Sequence, residues 1–218
     1  MRQNIIHESK TDTHIQQIET NVQMVELDAI ASIRRAPLFK SQRGANGTTF
    51  RVASIKDFPV AGYLPEPERS VVLTSHREKA RRHVLQPYDV LVITVGSIGH
   101  VTVVPSDCGD NWIPATNMYV IRLKEEPEQA SRALYAIFKS PSGESMLQGL
   151  ARGRGIQIVP KKIFARIQVP QLTPAVLAET ERLWDEETTL FRESVEKLRK
   201  SREVFHSLRI GMAEPTIS

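Results

Sequence analysis

The sequence predicts an α+β protein, a mixed α/β globule followed by one long C-terminal helix of the coiled-coil kind. Three observations predict it. Residues 85–104, LQPYDVLVITVGSIGHVTVV, carry two apolar runs pinched by Gly96-Ser97-Ile98-Gly99, the pattern of strand, tight turn, strand. Residues 128–140, EQASRALYAIFKS, set Ala130, Leu134, Ile137 and Phe138 on one helical face. From Ala175 to Arg209 there is no glycine or proline, and apolar residues recur every seven positions. At 218 residues the chain is long enough for one sizeable domain and an appendage. The organisation expected is a polar N-terminal segment at 1–24, a globule at 25–171, a long helix at 172–210 and a tail at 211–218. No internal repeat is visible, and no second turn of the GSIG kind.

In chain order, the polar start contains a short amphipathic stretch through Ile15, Ile18 and Val22. VELDAIASIRR, with Val25, Leu27, Ile30 and Ile33 as its apolar set, reads as a strand leading into a helical turn. APLFKSQRGANGTTF is a small, polar and basic loop, and FRVASI a strand. KDFPVAGYLPEPER holds three prolines and a glycine, so it must be turns and extended chain. SVVLTSHREKARRHVL joins a short strand to a basic, helix-compatible segment. After the hairpin, SDCGDNWIPATN reads as a loop and MYVIRL as a strand. PSGESMLQGLARGRG opens on turn residues, holds a short helix around Met146 to Leu150 and ends in a Gly-Arg loop. IQIVP and FARIQVP read as short strands.

The final helix would run about 50 Å at 1.5 Å per residue. Leu177, Trp184, Phe191, Leu198 and Phe205 fall seven apart; Val176, Leu183, Leu190 and Val204 sit beside them, and Val195 and Leu208 widen the stripe. Such a stripe marks a helix packed lengthwise against another. Thr180, Glu187, Ser194 and Ser201 hold the intermediate positions where a simple zipper places leucine, so the seam suits a specific partner. Two placements remain open: the stripe meets a second helix, or it covers the globule of its own chain.

Composition excludes several classes. Hydrophobic residues make up 40% and charged residues 25%, ordinary for a soluble globular protein. Cys108 is the single cysteine, so there is no disulfide framework and no cysteine-rich zinc site, and a lone thiol fits the cytoplasm. The longest apolar run, Val90 to Val95, is far short of the ~20 residues of a membrane span, and no signal peptide is visible. No Walker-type phosphate loop, HExxH, GxSxG elbow, dinucleotide fingerprint or nuclease signature occurs, and no acidic-aromatic stretch resembles an adenine methyltransferase motif. The six histidines, at 7, 14, 76, 83, 100 and 206, lack ligand spacing. The expectation is a protein without catalytic residues, metal or cofactor of its own.

The order of these segments resembles a target-recognition domain and the following helix of the specificity (S) subunit of type I restriction-modification systems. VELDAIASI is similar to that family's opening, and FRVASIKDFPVAGYL to its early strand and connection. LQPYDVLVITVGSIGHVTVV is similar to its strand-Gly-strand core, TNMYVIRL to its Asn before a strand, and GRGIQIVPKKIFARIQVPQLTP to its Gly-containing loop, strand and exit into the helix. The resemblance covers residues 25–210. Two departures stand out: Met118 replaces the usual polar residue after Asn117, and this chain has one domain and one helix where the family has two of each.

The resemblance implies a subunit that reads one half of a bipartite site in double-stranded DNA and holds a separate DNA methyltransferase, with a restriction or translocase subunit as a further possible partner. A half-length subunit would pair with a copy of itself through Leu177, Trp184, Phe191, Leu198 and Phe205, and a twofold pair prefers a palindromic site. Phosphate contacts need Lys and Arg. Three basic clusters qualify: Arg34, Arg35 and Lys40 with Arg43; Arg77, Lys79, Arg81 and Arg82; and Arg152, Arg154, Lys161 and Lys162. Each is equally readable, residue by residue, as a solvated loop. Gln42, Arg43, Asn46 and Arg154 have the side chains that read adenine and guanine edges. The GSIG turn is either a fold element or a DNA approach through Ser97 and His100. Two other functions stay open: the recognition part of a split methyltransferase, and a non-catalytic adaptor of a phage-defence system that reuses the fold.

Overall fold

The structure, a computed structural model, describes residues 23–35, 37–40 and 47–210, with side chains as far as Glu203. The stretch through Ile15, Ile18 and Val22 and the tail at 211–218 lie outside the described residues.

The described residues form nine strands in three sheets. Strand β1 (Met24–Glu26), a one-turn helix α1 (Leu27–Ile30) and β2 (Ala31–Arg34) open the fold. Then come β3 (Thr48–Ala53), β4 (Ser70–Leu73), helix α2 (Arg77–Arg81), β5 (Val90–Ile93), β6 (Val101–Val103), β7 (Trp112–Pro114) and β8 (Met118–Leu123). Helices α3 (Pro127–Lys139), α4 (Pro141–Gly149) and α5 (Lys161–Ala165), strand β9 (Gln168–Pro170) and helix α6 (Pro174–Ile210) complete it.

The centre is an antiparallel sheet of order β2-β8-β5-β6. Side chains alternate along its two central strands, so β5 and β8 each feed two cores. Val90 and Val92 of β5 and Tyr119 and Ile121 of β8 face the helices with Leu134, Phe138 and Trp184. Leu91, Ile93, Met118 and Val120 face the other way, onto Leu64, Leu85 and Trp112. All four residues of β5 are fully buried, which is why its sequence reads as an unbroken apolar run. A second sheet, β4-β3-β7, carries a third cluster with Phe50, Leu73 and Ala80 of α2. The small β1–β9 pair ties the start of the globule beside the root of α6, where Gln171 N–H donates to Gln23 O at 2.8 Å.

Prolines set two helix starts. Pro127 and Pro141 stand in the first turns of α3 and α4, where a missing N–H costs nothing. Between them Ser140 accepts from Gly143 N–H at 3.1 Å, and a Cβ on Gly143 would lie 2.0 Å from Ile137 O, so only glycine fits this corner.

Five expectations need correction. The turn read at the start of PSGESMLQ is already helix, since α4 runs from Pro141 to Gly149 and not around Met146 to Leu150. Residues 31–34 are a strand, because Ala31 to Arg34 pair with Leu123 to Val120 of β8. The loop at 106–117 contains β7, which lies parallel to β3 with Arg51 opposite Trp112. IQIVP forms no ladder; Ile158 makes only isolated bridges to Val95 and Arg152. FARIQVP begins as the end of α5, since Phe164 N–H closes a helical turn on Pro160 O at 3.0 Å and its ring enters the core 5.1 Å from Tyr119; only Gln168–Pro170 is strand. The helix at 127–139, the hairpin and the long helix stand as read.

Candidate nucleic-acid interface

One end of the central sheet gathers the hairpin turn, Arg35 and the Gly-Arg loop. Thr94 and Val95 N–H groups both donate to Asn117 O, at 2.9 and 3.1 Å, which holds the exit of β5 against the start of β8. Gly96 and Gly99 have φ of +81° and +100°, a conformation that side chains disfavour. Nothing lies within 4 Å of where their Cβ atoms would be, so glycine is required for the bend alone and the outer face of the turn is open. Ser97 and His100 are exposed there. The turn docks on the following loop: Gly96 N–H donates to Gln157 O at 3.1 Å and Val95 bridges Ile158. Arg35, just past β2, reaches the same end; its Nε donates to Thr116 O at 2.7 Å and its guanidinium lies 6.0 Å from the Tyr119 ring centre. Arg154 is exposed in the docked loop, whereas Arg152 turns back and donates to Gly149 O and Ala151 O, bracing the end of α4.

The second basic cluster divides. Arg77 and Arg81 both pair with Glu78, at 3.7 and 3.2 Å. Lys79 and Arg82 are exposed and make no ion pair among the described residues. They act instead on His83, together with Arg34 from β2. Burial first, then these three cations, holds the His83 ring below the usual imidazole range. Sequence reasoning did not assign His83; its one signal is its position directly after Arg81-Arg82. Lys40 is exposed beside Phe39, which is buried in the cluster that also takes Ala80 of α2. Lys161 and Lys162 sit in the first turn of α5, and Lys162 lines a cleft with Leu150, Ile163, Arg166 and Ile167. Gln42, Arg43 and Asn46 lie outside the described residues.

Behind this surface Asp89 is fully buried and binds Arg122 through both oxygens, at 2.7 Å each. It also accepts from Gln86 N–H at 2.8 Å, closing the turn that launches β5. Arg34 lies in the same field; burial, then Arg122, lowers its pKa, and its Nε is buried without an acceptor among the described residues.

Charge is segregated. Residues 23–173 hold 20 Lys and Arg against 13 Asp and Glu, while residues 174–210 hold 7 against 8. On α6 two of the arginines are neutralised within the helix: Arg182 pairs with Glu179 and Glu186, and Arg199 with Glu196 and Glu203. Among the described residues there is no His/Cys/Asp/Glu group fit for a metal, and no helix long and apolar enough to cross a membrane.

The heptad stripe of α6 has two uses. Leu177 and Trp184 are buried in their own globule against α3, so these two are not available to a partner helix. Phe191 is half-buried, and Leu190, Val195 and Leu198 are 57%, 48% and 60% exposed. The side chain of Phe205 lies outside the described residues. From Leu190 to Leu198, about 12 Å of helix, Leu190, Val195 and Leu198 form an exposed apolar stripe.

No protein-family model matches the sequence, and no curated protein matches it. Solved structures do. The S subunit of a type I restriction-modification system from M. genitalium matches 88% of this chain with TM-score 0.52 at 15% identity, over 45% of its own length. The HsdS subunit from Thermoanaerobacter tengcongensis matches 85% with TM-score 0.50 at 14% identity, over 46% of its length. A chain from a structure of type I R-M complex assembly and conformational transition matches 90% with TM-score 0.53 at 16% identity, over 50% of its length. This chain therefore has the fold of type I specificity subunits and spans about half the length of the chains it matches.

Proposed function

We propose that this chain is a sequence-specific DNA recognition subunit of a type I-like restriction-modification system. The globule at 25–171 reads one half of a bipartite duplex site. The helix at 172–210 pairs with the helix of a second copy, sets the distance between half-sites and docks a separate DNA methyltransferase. The chain itself is non-catalytic, and a restriction or translocase subunit joins the same assembly. The observation that carries this reading is the segregation of charge. The globule carries the excess of cations, as a polyanion partner requires, while the helix balances its charge and leaves an apolar stripe beyond the globule.

Two measurements test it. Binding to a duplex should weaken steeply with salt, with a slope of log affinity on log salt of about −0.9 per phosphate contacted. An adaptor that does not touch DNA shows no specific binding at any salt. Separately, Phe191→Asp or Leu198→Asp should halve the mass seen by light scattering and leave the circular dichroism of the globule unchanged. Leu198 is the cleaner site, since it is 60% exposed and outside the core. An unchanged mass in both variants means the helix is not the seam.

A further inference from the structure

Three cations with no ion pair among the described residues act on one imidazole at the end of α2. Arg34 comes from the end of β2, Lys79 from α2, Arg82 caps that helix, and His83 follows. Phe39 closes the apolar side, its ring edge-on to His83 with centroids 6.0 Å apart. Among the described residues the charged groups acting on His83 are Arg34, Lys79 and Arg82, all of one sign. The acid acting on Arg34, Asp89, is already held on both oxygens by Arg122. Like charges gathered without a counter-ion repel, and a buried donor without an acceptor lacks the hydrogen bond that water would have given it. Arg34 Nε is such a donor among the described residues. One anionic oxygen-rich group seated here offsets the repulsion among the cations.

We propose that Arg34, Lys79, Arg82 and His83 form a clamp for one backbone phosphate of duplex DNA. The clamp rests on the recognition reading above and adds to it a position and a proton. In the free chain burial and then the surrounding cations hold the ring below the usual imidazole range. A phosphodiester reverses the local field, so the ring takes up a proton as DNA seats. The pKa in the complex then lies above that in the free chain, and affinity grows as pH falls through that window. In the unliganded chain the sign is opposite. The folded pKa lies below the unfolded value of about 6.5, so the ring's contribution to stability is complete above that pH and is lost as pH falls below it.

The test uses the full chain and a labelled random-sequence duplex at constant ionic strength. The His83 ring signal is identified by NMR through its loss in His83→Gln, then titrated with and without duplex. The expected result is a free ring that titrates below the ordinary imidazole value and rises by about one unit in the complex, which makes binding about tenfold tighter at low pH. His83→Gln removes that gain. Arg34→Gln weakens binding at every pH and lets the free ring titrate higher; Lys79→Gln, at an exposed position, carries the same expectation if Arg34→Gln does not fold. A duplex that binds while the ring titration stays put, or a pH gain retained in His83→Gln, overturns the clamp and leaves recognition standing. No duplex binding at any pH overturns the recognition reading, and the clamp with it.

Discussion

Trp184→Ala is expected to destabilise the chain by about 3–5 kcal/mol, the cost of truncating a large buried aromatic. Trp184 is 4% exposed and is the point where α6 grips the globule. Tyr63 and Tyr135 meet its ring edge-on, each with centroids 4.9 Å apart. Arg132 of α3 lies 5.7 Å from the centres of both the Trp184 and Tyr63 rings. Arg132 also pairs with Glu128 at 2.6 Å and with Glu181 of α6, and its Nε donates to the Tyr63 hydroxyl oxygen at 2.8 Å. Burial raises the phenol pKa of both tyrosines, and Glu187 of α6 raises that of Tyr135 further, so both stay protonated near neutral pH. Losing the indole removes the surface that these groups share. Denaturant titration measures the loss, and limited proteolysis should cut α6 near its root in the variant and spare the wild type. If α6 is the ruler between half-sites, the variant should also accept a wider range of spacer lengths.

Asp89→Ala should cost a comparable amount, about 3–5 kcal/mol, because it breaks a buried ion pair from one side. Arg122 keeps its charge with 26% of its side chain exposed, and Arg34 already feels it as a repulsion. The turn at 86–89 loses its clamp as well, including the Asp89 contact that holds Gln86 N–H beside Tyr88, whose φ is +66°. The double variant Asp89→Ala/Arg122→Met removes both charges and should recover a large part of the loss, a coupling that a double-mutant cycle measures. Equal losses in the single and double variants would mean that the pair contributes packing and no charge compensation.

What the sequence made legible is what short-range physics determines. The run from Ala175 to Arg209 contains nothing that stops a helix, and α6 spans it. The pinched apolar runs at 85–104 became β5 and β6 because two glycines supply the left-handed bend. The features missed depend on distant partners. Trp112–Pro114 is too short to show a period, and it is a strand only because β3 lies beside it in parallel. Phe164 reads equally well in a strand or a helix, and the core pocket near Tyr119 decides. The stripe on α6 reads as one seam, yet Leu177 and Trp184 serve the globule while Leu198 remains outside, since nothing local marks where the globule ends. The same holds for charge. Arg77 and Arg81 look like Lys79 and Arg82 until Glu78 takes the first two, and His83 gains its setting only when β2 brings Arg34 to it.

The central claim is that the globule reads DNA and that two copies read it together. The most direct measurement incubates the purified chain, with and without the methyltransferase subunit proposed to dock on it, with a pool of randomised duplexes and sequences what is retained. The account predicts enrichment of two short inverted half-sites at one fixed spacing. No enrichment, even with the methyltransferase present, would contradict it.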